Sequence, residues 1–169
     1  MRKTVGFLLL IGLFSFTAFA QEGMQSTPKA EIFGGYQYTR FDGGLNANGW
    51  NSSITGNLNN WFGVAADFSG AYKSHRVSSS VYTYTVGPVL TARLPVVQPF
   101  IHVLFGGANL KSEGMSDNAF AMLVGAGIDL GLRKGIGLRL VQADWLMTKF
   151  IDETQNKQGR VSAGLVIKF

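Results

Sequence analysis

The chain has no cysteine, only 4 prolines and 2 histidines, and 15% charged residues among 169. Without thiols there is no disulfide framework, no lipidated N-terminal cysteine and no cysteine nucleophile. Two distant histidines without cysteine also leave little from which to build a metal site, so no metal or cofactor is expected. Long apolar runs are missing too: past residue 20 none approaches the roughly 18 residues of a membrane-spanning helix. No segment carries a helical period, and Gly34-Gly35, Gly106-Gly107 and Gly125-Ala126-Gly127 lack the Lys-Ser/Thr of a phosphate loop. Basic residues are scattered rather than clustered among aromatics, so the net charge of +5 does not mark a nucleic-acid binder.

The segment Met1-Arg2-Lys3-Thr4, the apolar stretch from Val5 to Thr17 and the small-residue site Ala18-Phe19-Ala20 before Gln21 follow the order of a secretory signal peptide. Cleavage is expected between Ala20 and Gln21. Losing Arg2 and Lys3 lowers Lys+Arg from 15 to 13 against 10 Asp+Glu, a net charge of +3. Residues 21–29 lack periodicity and read as a short exposed lead-in, and residues 30–169 form one domain.

From residue 30 the chain alternates with the period of a two-faced strand. Eight strands are expected at 30–39, 49–58, 62–71, 81–91, 99–109, 119–130, 136–148 and 160–169. Long and short connections alternate, as in a closed antiparallel barrel that crosses a membrane. One parity is apolar and free of charge: Trp50, Ile54; Val64, Phe68; Tyr84, Val86; Ile101, Val103, Phe105; Val124, Ile128; Val161, Ala163, Leu165, Ile167, Phe169. The other is small, polar or ionisable, including Asn51, Ser53, Asp67, Thr83, Thr85, His102, Asp129, Arg160 and Lys168.

Alternation alone leaves the direction of the two faces open, because a soluble lipocalin-like barrel would turn the apolar row inward. Three features place that row in lipid. The polar row has too few charges for a soluble exterior, and the apolar row is too bulky for the lumen of eight strands. Tyr36, Tyr38, Trp50, Tyr82, Tyr84, Phe120 and Trp145 also fall at the loop ends as one aromatic girdle. Strand seven breaks the pattern, since strict alternation from Arg139 would turn Asp144 to lipid. A bulge near Val141-Gln142 is expected to return Asp144 inward and Trp145 outward.

Glu31-Ile32-Phe33-Gly34-Gly35-Tyr36-Gln37-Tyr38, Val86-Gly87-Pro88, Pro99 to Ala108 and Arg139-Leu140-Val141-Gln142-Ala143-Asp144-Trp145 resemble the small eight-stranded outer-membrane β-barrel family, related to the OmpA barrel domain and OmpX. The resemblance spans about residues 30–169. It implies an exported protein in the outer membrane of a Gram-negative cell, porin-like in architecture. The last strand, with Val161, Ala163, Leu165, Ile167 and terminal Phe169, resembles the C-terminal signal read by the barrel assembly machinery. Implied partners are outer-membrane lipid and lipopolysaccharide.

Lumen charges should be paired, because an isolated ion is costly in a filled interior. Closure puts Glu31 beside Lys168, the 131–135 turn puts Asp129 diagonal to Arg139, and Asp67, His102, Asp144 and Arg160 join one polar network. Neither His75 nor His102 has the H-x-S spacing of the lipid A deacylase family. The loops 40–48, 72–80, 110–118 and 149–159 read as short, which argues against a strong adhesive role. The expected protein is a non-enzymatic, monomeric outer-membrane barrel with a structural or surface-interaction role. The alternatives are a lipid A-modifying hydrolase, a narrow pore and a soluble periplasmic binder.

Overall fold

The computed structural model describes residues 27–41, 46–75, 77–112, 115–133, 135–149 and 154–169; the cleavage-site residues Ala18, Ala20 and Gln21 lie outside them. Eight strands follow in order: β1 Ala30–Arg40, β2 Asn46–Asn57, β3 Phe62–His75, β4 Val77–Thr91, β5 Val97–Ser112, β6 Met115–Arg133, β7 Ile136–Lys149 and β8 Thr154–Lys168. Each pairs antiparallel with its sequence neighbours, and β1 closes on β8 in a register running from Glu31↔Lys168 to Arg40↔Gly159. Closure leaves no edge strand open.

The two-residue period decides which side chains point where. Ile54, Val86 and Leu165 are 51%, 53% and 57% exposed on the outer wall, whereas Asn51, Asp67 and Ser162 are each 1% exposed inside. The irregularity in β7 falls at Leu140-Val141, one residue before the expected place. Ile128 pairs with Val141 and Asp129 with Arg139, so Leu140 is the extra residue. Both Leu140 and Val141 point outward, and beyond them Asp144 is buried and Trp145 exposed. A charge that would otherwise face the apolar wall is thereby returned to the lumen.

Two sequence expectations need correction. The strands are longer at the loop end than the apolar pattern indicated: β3 and β4 stay paired to His75↔Val77, and β5 and β6 to Ser112↔Met115. Backbone ladders need no apolar alternation, so their outer stretches carry no such signal in the side chains. The segments read as short loops are therefore largely continuations of hairpins. The interior is also not uniformly small and polar. Phe33, Phe100, Leu104, Leu123, Leu146 and Val166 are buried there, and Ala65, Val89, Phe100, Leu104, Ala108, Ala121, Leu123 and Leu146 form one apolar cluster. Such a filled lumen is what close packing demands of eight strands.

Candidate functional site: the charged lumen

The remaining interior holds the ionisable groups, placed by the inward parity of β1, β3, β5, β6, β7 and β8. At the turn end, Glu31 meets Arg93 at 2.7 Å and Lys168 at 3.8 Å and accepts a 2.8 Å bond from Asn57 Nδ2. Lys168 Nζ also donates to Gln98 Oε1. Arg93 lies in the connection between β4 and β5, and its side chain turns back to reach β1.

Deeper in, Arg139 makes a two-pronged bond to Asp129, Nε to Oδ1 at 2.8 Å and Nη2 to Oδ2 at 3.0 Å, and donates from Nη1 to Gln142 Oε1 at 2.6 Å. Its guanidinium lies 4.3 Å from the Phe33 ring centroid and 4.2 Å from that of Phe100. A planar, weakly hydrated cation suits this sandwich better than an ammonium would.

Gln142 links this pair to the next, donating from Nε2 to Asp144 Oδ2 at 2.8 Å. Arg160 Nε donates to the same oxygen at 2.7 Å, and Arg160 Nη1 crosses to Asp67 Oδ1 at 2.8 Å. Asn51 Nδ2 donates to Asp67 Oδ2 at 2.8 Å. His102 Nε2 lies 2.9 Å from Asp144 Oδ1, and its ring stacks on Phe100 with centroids 5.8 Å apart. An ionised carboxylate only accepts, so Nε2 carries the proton in this pair.

Among the described residues, Glu31, Asp67, Asp129 and Asp144 thus face Arg93, Arg139, Arg160 and Lys168, four carboxylates against four basic side chains. All eight network residues expected from the sequence lie in the lumen. Arg93, Gln98 and Gln142, and the aromatic sandwich, were not foreseen. Gln142 could have been assigned by continuing the parity past the bulge. Arg93 carries no such signal, because a turn residue has no fixed face.

Among the described residues no group of three or more His, Asp or Glu could hold a metal ion. A cavity of about 20 Å³, room for roughly one water, lies among Glu31, Asp67, His102, Asp129, Arg139 and Gln142. His102 bonds to a carboxylate inside the wall rather than to a hydroxyl at its surface. The side chain of His75, the other histidine, lies outside the described residues.

The network is packed tightly enough to constrain the backbone beside it. A Cβ added at Gly125 would collide with Asp144 Oδ1 and lie 2.8 Å from His102 Nε2. Gly125→Ala is therefore expected to separate His102 from Asp144 and to cost about 1–3 kcal/mol. Urea unfolding in lipid vesicles, followed by tryptophan fluorescence, measures this. A cost within a few tenths of a kcal/mol of zero would mean that the pair gives way freely.

A closed ring of eight antiparallel strands, apolar outside and charge-paired inside, decides the architecture. The fold is that of the small eight-stranded outer-membrane barrels. Ail, the attachment invasion locus protein of Yersinia pestis, superposes with a TM-score of 0.58 at 21% identity, covering 85% of this chain and 99% of Ail. Neisserial surface protein A gives a TM-score of 0.60 at 15% identity, covering 83% of this chain and 96% of its own. The N-terminal barrel domain of OprF from Pseudomonas aeruginosa gives 0.60 at 11% identity, covering 84% and 98%. No family model and no curated protein matches the sequence.

Proposed function

We propose that this chain is a non-enzymatic integral barrel of the Gram-negative outer membrane, with a structural or surface-interaction role. The observation that carries this reading is the outer wall. Side chains such as Ile32, Ile54, Phe68, Val86, Ile101, Phe105 and Leu165 are 39–57% exposed there, while the paired charges are turned inward. In water such a wall is an aggregation surface, and in lipid it is the favoured solvent contact. On this reading the signal peptide is cleaved after Ala20, and β8, with Val161, Ala163, Leu165, Ile167 and Phe169, is what the barrel assembly machinery engages. Closure through β1 and β8 favours a monomer.

The interior supports a wall rather than a conduit, since Arg160 spans it, an apolar cluster packs beside it and the cavity among the charges has room for roughly one water. Ail has been solved in complex with the heparin analogue sucrose octasulfate. In this chain Arg40, Lys73, Arg76, Lys111, Lys149 and Lys157 at the loop side stand against Asp42, Glu113, Asp117, Asp152 and Glu153. That near balance favours the structural role over capture of polyanions.

Membrane fractionation of the expressed full-length chain, followed by electrophoresis with and without boiling, tests the proposal. The expected result is an outer-membrane band whose mobility shifts on heating. A soluble, heat-insensitive protein would overturn it and favour a periplasmic binder.

A further inference from the structure

We propose that residues 27–29 form a strap that locks the β1–β8 seam from the turn end, so that the seam opens only after the strap has lifted. In the closed ring this seam is the one neighbouring pair that no turn connects, because β1 is the first strand of the ring and β8 the last. Every other pair is a hairpin, held at one end by the chain itself. Strand ends held by hydrogen bonds alone are where a fold opens locally at least cost.

Residues 27–29 carry no strand period, yet their backbone continues both ladders of β1. Beyond the paired residues Glu31↔Lys168, Phe169 N–H donates to Ala30 O at 2.9 Å and Lys29 N–H donates to Phe169 O at 2.6 Å. On the other side, beyond Ala30↔Gly56, Lys29 O accepts from Asn57 N–H at 3.0 Å. Lys29 is thus bonded to the end of β8 and to β2 at once. Pro28 has no N–H with which to extend a ladder, and its carbonyl accepts from Asn57 Nδ2 at 2.8 Å. The Thr27 hydroxyl donates to Asn60 Oδ1 in the connection between β2 and β3.

Asn57 joins the strap to the lumen. The same Nδ2 donates to Glu31 Oε1 at 2.8 Å, and Glu31 faces Lys168 across the seam and pairs with Arg93. The strap therefore grips both strands of the seam and the carboxylate that closes it. The side chain of Lys29 is exposed, so the lock lies in its backbone. Both backbone groups of Phe169 are taken. On the reading that the assembly machinery engages β8, which this consequence rests on, the lowered strap leaves no free ladder position at that end of the strand.

The test is amide hydrogen exchange of the full folded chain in detergent micelles, resolved by residue with NMR. In wild type the amides of Lys29 and Phe169 should be protected together with those of the rest of the seam. Lys29→Pro removes the N–H that reaches Phe169 and keeps the carbonyl that Asn57 uses. It should raise exchange at Phe169 and Ala30 about ten-fold while leaving β3 and β4 unchanged. Lys29→Ala keeps the N–H and should match wild type. If Lys29→Pro fails to fold, Asn57→Ala, which frees the Pro28 carbonyl, should show the same local rise. Wild-type Lys29 and Phe169 amides that exchange as fast as an unstructured segment would overturn the proposal. So would a Lys29→Pro variant that exchanges like wild type, or one whose exchange rises equally in every strand. A chain found to be soluble would remove the consequence for assembly and leave the exchange result to decide the lock.

Discussion

Replacing Arg160 with Met should destabilise the barrel by about 3–5 kcal/mol, because it leaves buried carboxylates without their cation. Arg160 is 2% exposed and serves Asp67 and Asp144, which are 1% and 4% exposed. Removing one partner of a buried pair is far more damaging than removing the whole group. Arg160→Met combined with Asp67→Asn and Asp144→Asn should therefore recover most of the loss. Urea unfolding of the three proteins, wild type included, in vesicles, read by tryptophan fluorescence and by the heat-shifted band, measures both effects. A single variant within 1 kcal/mol of wild type would mean that water or local relaxation neutralises these carboxylates, and that the interior is less dry than its packing indicates.

The second large effect is expected outside the barrel. Val86, 53% exposed, pairs with Ala66 on β3 and Phe105 on β5, well inside the apolar wall. Val86→Arg should cost about 2–4 kcal/mol in a bilayer, the range for a cation near the midplane on a lipid-facing strand position. The same change in a soluble barrel's exterior would be nearly neutral. Comparing refolding yield and unfolding midpoint in vesicles separates the two situations, and a tolerated Val86→Arg would exchange inside and outside.

How far the residues alone could be read depended on what each signal measures. Parity records the direction of a side chain, so the wall, the inward charges and the closure of Glu31 on Lys168 were all legible. The bulge was legible for the same reason, since strict alternation would have put Asp144 in lipid. The wiring was less so. Arg160 and Asp67 lie 93 residues apart, and only the closed ring places them across one lumen. Phe33 shares the parity of Glu31, but the alternation of small and polar residues gives no sign that Phe100, Leu104, Leu123 and Leu146 also turn inward. Packing needs that volume, and packing is a property of the assembled ring. The paired stretches beyond Tyr72 and before Val81 were missed because a ladder with polar side chains on both faces looks like a loop.

The distribution of charge along the chain has a consequence for the order of assembly. Arg160 and Lys168, two of the four lumen cations among the described residues, both sit on β8, and their partners lie on β1, β3 and β7. A curled sheet of the first seven strands would therefore hold an excess of carboxylates until the final strand arrives. Seam closure and neutralisation then become one event, and a barrel arrested one strand short is electrostatically unfinished as well as open. Late truncations should accordingly leave no long-lived seven-stranded intermediate, because the strand that seals the wall also silences its interior.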